Sequence, residues 1–397
     1  TKYQAISVGR VMTCVLGMVV RREREIRAFV KTPFYRVLSS IALEGENFEG
    51  EWRAVEGSRY FQTPYLYKEN GFKEKAYAEK LIQELSVSQP LQCTVEKIER
   101  KKENRNPPLL FNLAELQNVC SKLFKISPDE TLKIVQELYE KKLVTYPRTD
   151  ARVLTTAVAR EISKNLYKLR DYTPTQKFTQ TILQNKSYTH LANTQYTDDS
   201  KVTDHYAIIP TGQLTELGTL SPLQQKVYEL IVRRFLSIFY PAAEYQTLKL
   251  VIQIDKESLF TSAKVLKSLG FLEVMGKTLE NAEDENNDTD KAEEQASKVD
   301  PRKLLALADT LKTGDHLQVN AFQIKEGATK PPKRYTSGSM ILAMENAGQL
   351  IEDEELRAQI KGSGIGTSAT RAEILKKLFN IKYMALNEKT QVITPTY

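Results

Sequence analysis

Residues 112–146 constrain the fold most, because their sequence marks two short helices and a strand that follows them. Asn112 and Glu115 have the spacing of a capping box, and so do Ser127 and Glu130, with a proline after the serine. Each predicted helix carries one apolar stripe: Leu113, Leu116, Cys120 and Leu123 on the first, and Leu132, Val135, Leu138 and Tyr139 on the second. A helix-turn-helix with a wing fits this pattern, and a plain helical hairpin fits it equally well.

The rest of the chain alternates between helical and strand-rich stretches. We expect helices at 8–29, 76–85, 153–170, 221–240 and 337–348, and a last helix entered from the glycine-rich residues 362–370, with Thr370 and Glu373 as a third capping box. We expect strands at 34–43, 59–67, 91–101, 245–254 and 259–266, a strand pair at 315–327, a hairpin at 383–395, and linkers at 104–108 and 329–334. A chain of 397 residues is long enough for two to four such domains, and it shows no repeat. The pattern predicts a multidomain α+β protein.

The charge distribution suits a partner with a phosphate backbone. The net charge is +7, but residues 280–295 hold eight acids and one lysine, and the remainder carries +14. An ordinary solvated surface with an acidic loop explains the same numbers. No apolar run approaches the ~18–20 residues of a membrane span. The first residues have neither an initiator Met nor a signal sequence, so we expect a piece of a longer chain.

Cysteines and histidines are too scattered to form a recognisable metal or disulfide framework. They are Cys14, Cys93, Cys120, His190, His205 and His316. We therefore expect free thiols, as in a reducing compartment, and no metal site built on these residues.

Tyr146 and Arg148, in the stretch "TYPRTDAR", are the first candidates for chemistry. In an extended strand, residues two apart point to the same side, so Arg148 could hold a phosphate that the Tyr146 phenol attacks. Pro147 between them would stiffen the pair. A structural Tyr-Pro turn is the competing interpretation.

Two further elements could join that pair. His205, in "DHYAIIPT", could hold a phosphate oxygen or relay a proton, or it could be an ordinary histidine at a strand edge. Residues 362–374, "GSGIGTSATRAEI", place glycines before a helix, where free N–H groups and the helix dipole favour an anion. This loop is no Walker A motif, because no Gly-Lys-Ser/Thr follows the glycines. "SVGRVMT" (7–13) is a second Gly-Arg element at a helix start.

The four motifs together resemble those of the type IA DNA topoisomerases, and most closely the topoisomerase III branch. They stand in the family's order and span nearly the whole chain: "SVGRVMT", "TYPRTDAR", "DHYAIIPT" and "GIGTSATRAEI". The resemblance implies a toroidal core with winged-helix-like helical domains and a strand-rich arch. It divides the chain into a DNA-gripping domain (1–32 with 331–397), an arch (33–105 with 241–330) and a tyrosine domain (106–240).

The resemblance also implies an activity and a role for each matching residue. Tyr146 matches the nucleophile that forms a 5′-phosphotyrosine link with single-stranded DNA, before strand passage and ATP-independent religation. Arg148 and His205 match residues that steady the scissile phosphate. The residues that match the part of the family that binds the DNA strand are Ser7, Gly9, Arg10, Asp150, Gly364, Gly366, Thr367, Thr370 and Arg371.

Some residues depart from the family pattern. Met12, Cys14, Ala151, Ser368 and Tyr206 stand where the family has other residues, and none of them is Tyr146, Arg148 or His205. The family's Toprim domain, which supplies a glutamate and an Asp-x-Asp magnesium site, has no counterpart here; "DTD" at 288–290 lies in a polar acidic stretch with no preceding strand. We therefore expect magnesium to be bound outside this chain, and the chain alone to cleave DNA weakly or not at all.

The expected partners are single-stranded and negatively supercoiled DNA, and the expected state is a monomer in the cytoplasm, at the bacterial nucleoid. The sequence does not identify a helicase partner. Two other classes remain open. A non-enzymatic winged-helix DNA-binding protein explains the charge and the helical pattern but leaves Tyr146 and His205 unexplained. A conjugative relaxase also uses a tyrosine, but it gathers several histidines around a metal.

Overall fold

A computed structural model describes residues 9–87, 91–276, 299–347 and 364–396. The helices are α1 (Arg10–Ala28), α2 (Lys75–Leu85), α3 (Leu113–Phe124), α4 (Pro128–Glu140), α5 (Thr156–Glu161), α6 (Ser163–Leu169), α7 (Gln176–Asn185), α8 (Pro222–Ser237), α9 (Pro301–Ala308), α10 (Ser337–Glu345) and α11 (Arg371–Asn380). The strands are β1 (Pro33–Leu43), β2 (Glu46–Arg53), β3 (Leu66–Lys68), β4 (Gly71–Phe72), β5 (Gln92–Arg105), β6 (Ala243–Ile254), β7 (Glu257–Ser268), β8 (His316–Ala328), β9 (Met384–Leu386) and β10 (Ile393–Pro395). The α+β class is confirmed.

The strand-rich part of the chain forms a closed antiparallel sheet. Its order is β2-β7-β6-β5-β8-β1, and β1 pairs back onto β2, so these strands form a ring. The short strands β4 and β3 branch from β1. Closure leaves no open edge among the six strands. The sheet encloses an apolar core around the fully buried Trp52, which stacks on Phe72 at 4.9 Å between ring centroids.

The prediction of a strand at 59–67 is wrong. Only β3 at its end is extended; the preceding residues form turns in which Gln62 has a positive φ of 55°. The aromatic rings explain the difference, because Tyr60 packs edge-on against both Trp52 and Phe72 instead of alternating across a sheet. Successive side chains of a strand point to opposite faces of the sheet. A run of side chains that all point into the core therefore needs turns rather than an extended strand.

Two other strand predictions need correction. Residues 315–327 were expected to form a strand pair, but β8 is one continuous strand because its partners, β1 and β5, lie far away in the sequence. The predicted linker at 104–108 begins too early, since Asn104 and Arg105 still pair with Glu244 and Ala243. Strand pairing over such distances leaves no local sequence signal.

The two middle helices, α3 and α4, begin at the predicted N-caps, but the reciprocal half of each predicted capping box is absent among the hydrogen bonds of these described helices. The side chains of Asn112 and Ser127 accept hydrogen bonds from the N–H groups of Glu115 and Glu130, at 2.9 and 3.1 Å. The stripes of α3 and α4 pack into a large apolar cluster with α8 and residues 207–209. Tyr139 is the exception, because its ring is 39% exposed and faces away from the core.

The two ends of the chain share a third apolar cluster. Val15 and Val19 of α1 pack with α10, α11 and the β9–β10 hairpin, which was predicted correctly. The capping box at Thr370 is wrong: its hydroxyl bonds to the backbone N–H of Thr367 at 3.0 Å and caps no helix. The cluster around Trp52 draws only on the predicted arch, whereas the cluster of the middle helices includes Ala243 and apolar residues within 271–275, and the cluster of the chain ends includes Ala114. The boundaries at 32, 105, 240 and 330 stay predictions.

Several predictions fall outside the described residues. These are the contact at Ser7, the acidic segment 280–295 with its "DTD", the end of the helix at 348, and the start of the glycine-rich loop at 362–363. Within the described ranges, every helix is too short or too polar to cross a bilayer.

Candidate active site

Tyr146 lies immediately after a short antiparallel pairing between the end of the helical hairpin and the segment 207–211. Val144 forms an isolated bridge with Pro210, and the N–H of Thr145 donates to the carbonyl of Ile209 at 3.0 Å. The N–H of Thr211 in turn donates to the carbonyl of Leu143 at 3.0 Å. Tyr146 therefore lies two residues after an isolated bridge that follows the two helices, and this bridge stands in place of the predicted strand.

Two threonines tie the backbone on either side of Tyr146 to the segment that carries His205. The Thr145 hydroxyl donates to the Ala207 carbonyl and accepts from the Ile209 N–H, both at 3.0 Å. The buried Thr149 hydroxyl donates to the His205 carbonyl at 2.8 Å. Because both hydroxyls bond across the same gap, the tyrosine and the histidine are held in a fixed relation.

Tyr146 is half-buried between two rings in an open cleft. The His205 ring lies 4.2 Å from the Tyr146 ring, centroid to centroid, at an angle of 39°. The Tyr139 ring meets it edge-on at 5.4 Å and 83°. The cleft has a volume of about 470 Å³ and is also lined by Lys142 and Tyr206. The predicted pairing of Tyr146 with His205 is thus present in the geometry, and both side chains line the cleft.

Tyr206 is the other tyrosine that lines the cleft next to His205. Burial raises the pKa of the Tyr206 phenol above its ordinary value. A phenol with a raised pKa is ionised less readily and is a weaker candidate for attack on a phosphate. Tyr206 therefore fits better as a wall of the cleft than as its nucleophile.

Arg148 does not share an extended strand with Tyr146, so the prediction that was based on strand alternation of these two residues is wrong. The chain bends at the buried Pro147, and the N–H of Thr149 donates to the Pro147 carbonyl at 3.0 Å, so Arg148 is the centre of a tight three-residue turn. The chain bends here because the Thr149 hydroxyl donates to the His205 carbonyl, which holds Thr149 against the His205 segment. Arg148 is half-buried, does not line the Tyr146 cleft, and has no hydrogen bond or ion pair among the described residues.

Asp150 and Arg371 meet each other, although both were predicted as DNA contacts. Arg371 Nη1 donates to Asp150 Oδ1 at 3.1 Å, and the same guanidinium donates to the carbonyls of Ile365 and Gly366 at 3.1 and 3.3 Å. The Arg371 side chain is only 4% exposed. The structure does not test whether either residue contacts DNA, so that role stays a prediction.

A second contact lies beside this ion pair. The Asn112 amide donates to Glu345 Oε1 at 2.6 Å and to the backbone carbonyl of Asp150 at 3.1 Å. Burial raises the pKa of the Glu345 carboxyl, and this effect outweighs the opposing charge of Arg371. The cluster therefore joins the chain just after Tyr146 to the end of α10 and to the glycine loop.

The other predicted DNA-binding residues lie on exposed helix starts. Gly9 and Arg10 open α1, and Thr367 and Thr370 precede α11. Gly364 has a φ of 47°, and a Cβ there would lie 2.7 Å from the Glu345 carbonyl, so the close passage of this loop requires glycine. No hydrogen bond links these residues to the Tyr146 cleft within the described ranges.

Among the described residues, no group of three or more His, Cys, Asp or Glu side chains lies close enough together to hold a metal ion. Mg²⁺ is usually held by one or two carboxylates together with waters and substrate phosphates, so this finding does not decide where magnesium binds. The binding of magnesium outside this chain stays a prediction.

Sequence reasoning missed Thr145, Thr149, Tyr139, Asn112 and Glu345. Thr145 and Thr149 bracket Tyr146, but their partners lie 62 and 56 residues away, so no local spacing marks them. For Tyr139, the sequence contains one signal of a position outside the core. This residue was assigned to an apolar stripe, yet it lies at the stripe's edge, seven residues before another tyrosine. A tyrosine at the edge of an apolar stripe can lie outside the core, because its hydroxyl group is polar and can contact water.

Comparison with known proteins gives the same assignment across the chain. A family model described as DNA topoisomerase matches residues 1–396. Relatives named DNA topoisomerase 3 from Bacillus subtilis and Bacillus licheniformis are 33% and 31% identical over 385 residues, each match covering 96% of this chain and 48% of the relative. The chain thus spans about half the length of the curated relatives it matches.

A solved structure has the same fold. The full-length topoisomerase I from Thermotoga maritima superposes with a TM-score of 0.60 at 22% identity, over 99% of this chain and 54% of that one. At this identity the likeness concerns the fold alone. The family match over residues 1–396, in a chain that carries the four motifs in order, confirms the resemblance drawn from the sequence: the chain belongs to the type IA DNA topoisomerase family.

Proposed function

We propose that this chain carries the tyrosine-bearing half of an enzyme that changes DNA topology by transient cleavage of a single strand. The observation that carries the proposal is the geometry of Tyr146: its ring lies 4.2 Å from that of His205, centroid to centroid, in an open cleft. Family membership supports DNA as the substrate class. The proposed outcome is relaxation or decatenation of DNA without ATP.

The proposed chemistry is a reversible exchange of one phosphodiester for another. The Tyr146 oxygen attacks the phosphorus, the bond to the 3′ oxygen breaks, and the strand leaves as a free 3′-hydroxyl that takes up a proton. A 5′-phosphotyrosine remains. A second strand passes through the break, and the 3′-hydroxyl then attacks the phosphotyrosine and restores the original bond. The two ester bonds are close in energy, so no nucleotide triphosphate is consumed.

His205 and Arg148 have the roles of binding the scissile phosphate in this proposal. His205 is exposed beside the phenol, so its imidazole can donate a hydrogen bond to a phosphate oxygen. The Arg148 guanidinium has no partner among the described residues, so its fork is available for a phosphate. Free phenols ionise near pH 10, so the attack also needs a proton acceptor.

We propose that this acceptor, and a magnesium site, come from a Toprim-type domain in another segment or polypeptide. The three-part division of the chain, with the sheet ring as arch, belongs to the same proposal and is supported by the apolar cluster around Trp52, which draws only on residues of the proposed arch. The same proposal includes a monomeric state, a cytoplasmic location at the nucleoid, and a preference for single-stranded and negatively supercoiled DNA. The basic balance of the chain supports a phosphate-backbone partner.

The test combines this chain with a separately prepared Toprim domain, magnesium and an end-labelled single strand. We expect an SDS-stable protein–DNA adduct that disappears in Tyr146→Phe, because that variant keeps the ring and removes the attacking oxygen. Tyr206→Phe is the matched control, since it alters a neighbouring ring of the same cleft. An adduct that persists in Tyr146→Phe would contradict the proposal. Salt-sensitive DNA binding with no adduct in any mixture would instead favour a non-enzymatic DNA-binding protein.

A further inference from the structure

Among the described residues, the tyrosine-bearing part contacts the C-terminal part at several places, and Asp150 makes the contact that lies nearest to Tyr146 in the sequence. Its carboxylate accepts from Arg371, and its backbone carbonyl accepts from Asn112. Asn112 is itself fixed, because its side-chain oxygen caps α3 and its amide also reaches Glu345. Asp150 lies only four residues after Tyr146, so this fastening limits where the nucleophile can move.

Arg371 is built into the glycine loop rather than presented to solvent. Its guanidinium donates to two carbonyls of the loop, at Ile365 and Gly366, and its side chain is 4% exposed. The loop closes around it: a Cβ at Gly364 would lie 3.1 Å from Arg371 Nη2. A guanidinium enclosed in this way cannot reach a DNA phosphate without leaving its pocket. Asp150, at 57% exposure, is the half of the pair that can release.

From these contacts we propose that Asp150 and Arg371 are positioning residues, which lock the Tyr146 segment onto the glycine loop and release it when the two parts of the protein separate. We name this contact the Asp150–Arg371 latch. The inference deepens the proposed function, on which its link to strand passage rests. The latch assigns to these residues a role other than DNA contact. It holds the nucleophile in place while the strand is cut, and its rupture frees the tyrosine segment to move.

A second ion pair joins the same two parts of the protein and serves as a matched control. Lys376 of α11 contacts Asp129 of α4 at 2.9 Å, with side chains 56% and 44% exposed. Both members are on the surface, where such pairs contribute little. The latch differs in that its arginine is buried and makes three hydrogen bonds. Asp150→Asn and Asp129→Asn each remove one carboxylate from an ion pair. A comparison of the two variants therefore distinguishes loss of the latch from a general loss of surface charge.

The experiment measures the distance between spin labels on the two parts of the whole chain. Labels are placed at Lys164→Cys and Lys389→Cys, both exposed positions, in a Cys14→Ser background. Cys93 and Cys120 are buried and stay unlabelled. In the otherwise unchanged protein, we expect a distance distribution dominated by the shorter, closed distance, with a minor longer component. Asp150→Asn is expected to enlarge the longer component and to raise the open-to-closed ratio roughly five-fold, whereas Asp129→Asn leaves it within about two-fold.

Binding of a fluorescent oligothymidylate, measured across a salt series, gives the second readout. The latch predicts that Asp150→Asn leaves the affinity and its salt dependence nearly unchanged. An unchanged distance distribution in Asp150→Asn, with tighter DNA binding, would overturn the latch and return Asp150 to the DNA surface. An equal opening in Asp129→Asn would also overturn it. Neither readout requires cleavage, so failure of the latch and failure of the Tyr146 adduct are distinguishable.

Discussion

At the scale of the residue, the site depends on how one phenol is held. Tyr146 has His205 on one side and the edge of Tyr139 on the other. Its two flanking threonines bond to the His205 segment rather than to each other. Several short contacts from distant residues therefore restrict one side chain, and this pre-organisation favours a reacting geometry. The direction of the ring was not readable from the sequence, since it depends on partners 56 to 66 residues apart.

Tyr139 should control the orientation of the nucleophile. An edge-to-face ring pair is worth about 0.5–1.5 kcal/mol, or roughly two- to ten-fold in population. Tyr139→Ala removes this contact and should lower the rate of adduct formation by up to about ten-fold. Tyr139→Phe keeps the ring and should stay within about two-fold. The measurement is the initial rate of adduct formation in the reconstituted mixture. Equal losses in both variants would show that the hydroxyl, and not the ring, matters.

Glu345 should make stability depend on pH. Its pKa is raised by burial, so its contribution is fully present below the ordinary pKa of a glutamate and is lost as the pH rises through the raised value. Glu345→Gln keeps an oxygen for Asn112 and cannot ionise. Its stability relative to the unchanged protein should therefore increase from pH 4 to pH 7, as followed by urea unfolding. Glu388→Gln, at an exposed position, is the control. A difference that does not vary with pH would contradict this account.

At the scale of the element, local signals were accurate and long-range pairing was not. The caps at Asn112 and Ser127 were readable because each depends on residues three apart. Thr370 has the same spacing and fails as a cap, because Thr367 offers its hydroxyl a nearer partner. The prediction of a strand pair at 315–327 is wrong, because the partners of the continuous strand β8 are β1 and β5, more than 200 residues earlier. Alternation along a strand does not encode which strand lies beside it.

The segment after His205 depends on one glycine. Gly212 has a φ of 94°, and a Cβ there would lie 2.5 Å from Lys168 Cβ and 2.8 Å from the Asn165 carbonyl oxygen. Gly212→Ala should therefore destabilise the protein by about 2–3 kcal/mol, from backbone strain and overlap together. Gly218→Ala, where the added Cβ meets no atom within 4 Å, should be close to neutral. Thermal unfolding of both variants checks this, and a neutral Gly212→Ala would contradict the strain argument.

At the scale of the whole molecule, the chain path is nested. Both ends build one apolar cluster, two separated strand-rich stretches close one sheet, and the middle builds the third cluster with the tyrosine. The four motifs predicted the family, since their order along the chain is itself information. They did not predict the closed sheet or the latch, because both depend on contacts between residues more than 100 positions apart.

The central claim is that Tyr146 is the residue that becomes bonded to DNA. Tryptic digestion of the trapped adduct tests it most directly, because cleavage after Lys142 and Arg148 places Tyr146 alone in the peptide 143–148. Tyr139 and Tyr206 fall in the peptides 134–141 and 202–226. Mass spectrometry should find the nucleotide mass on the peptide 143–148. A nucleotide on either of the other two peptides, with 143–148 unmodified, would contradict the account.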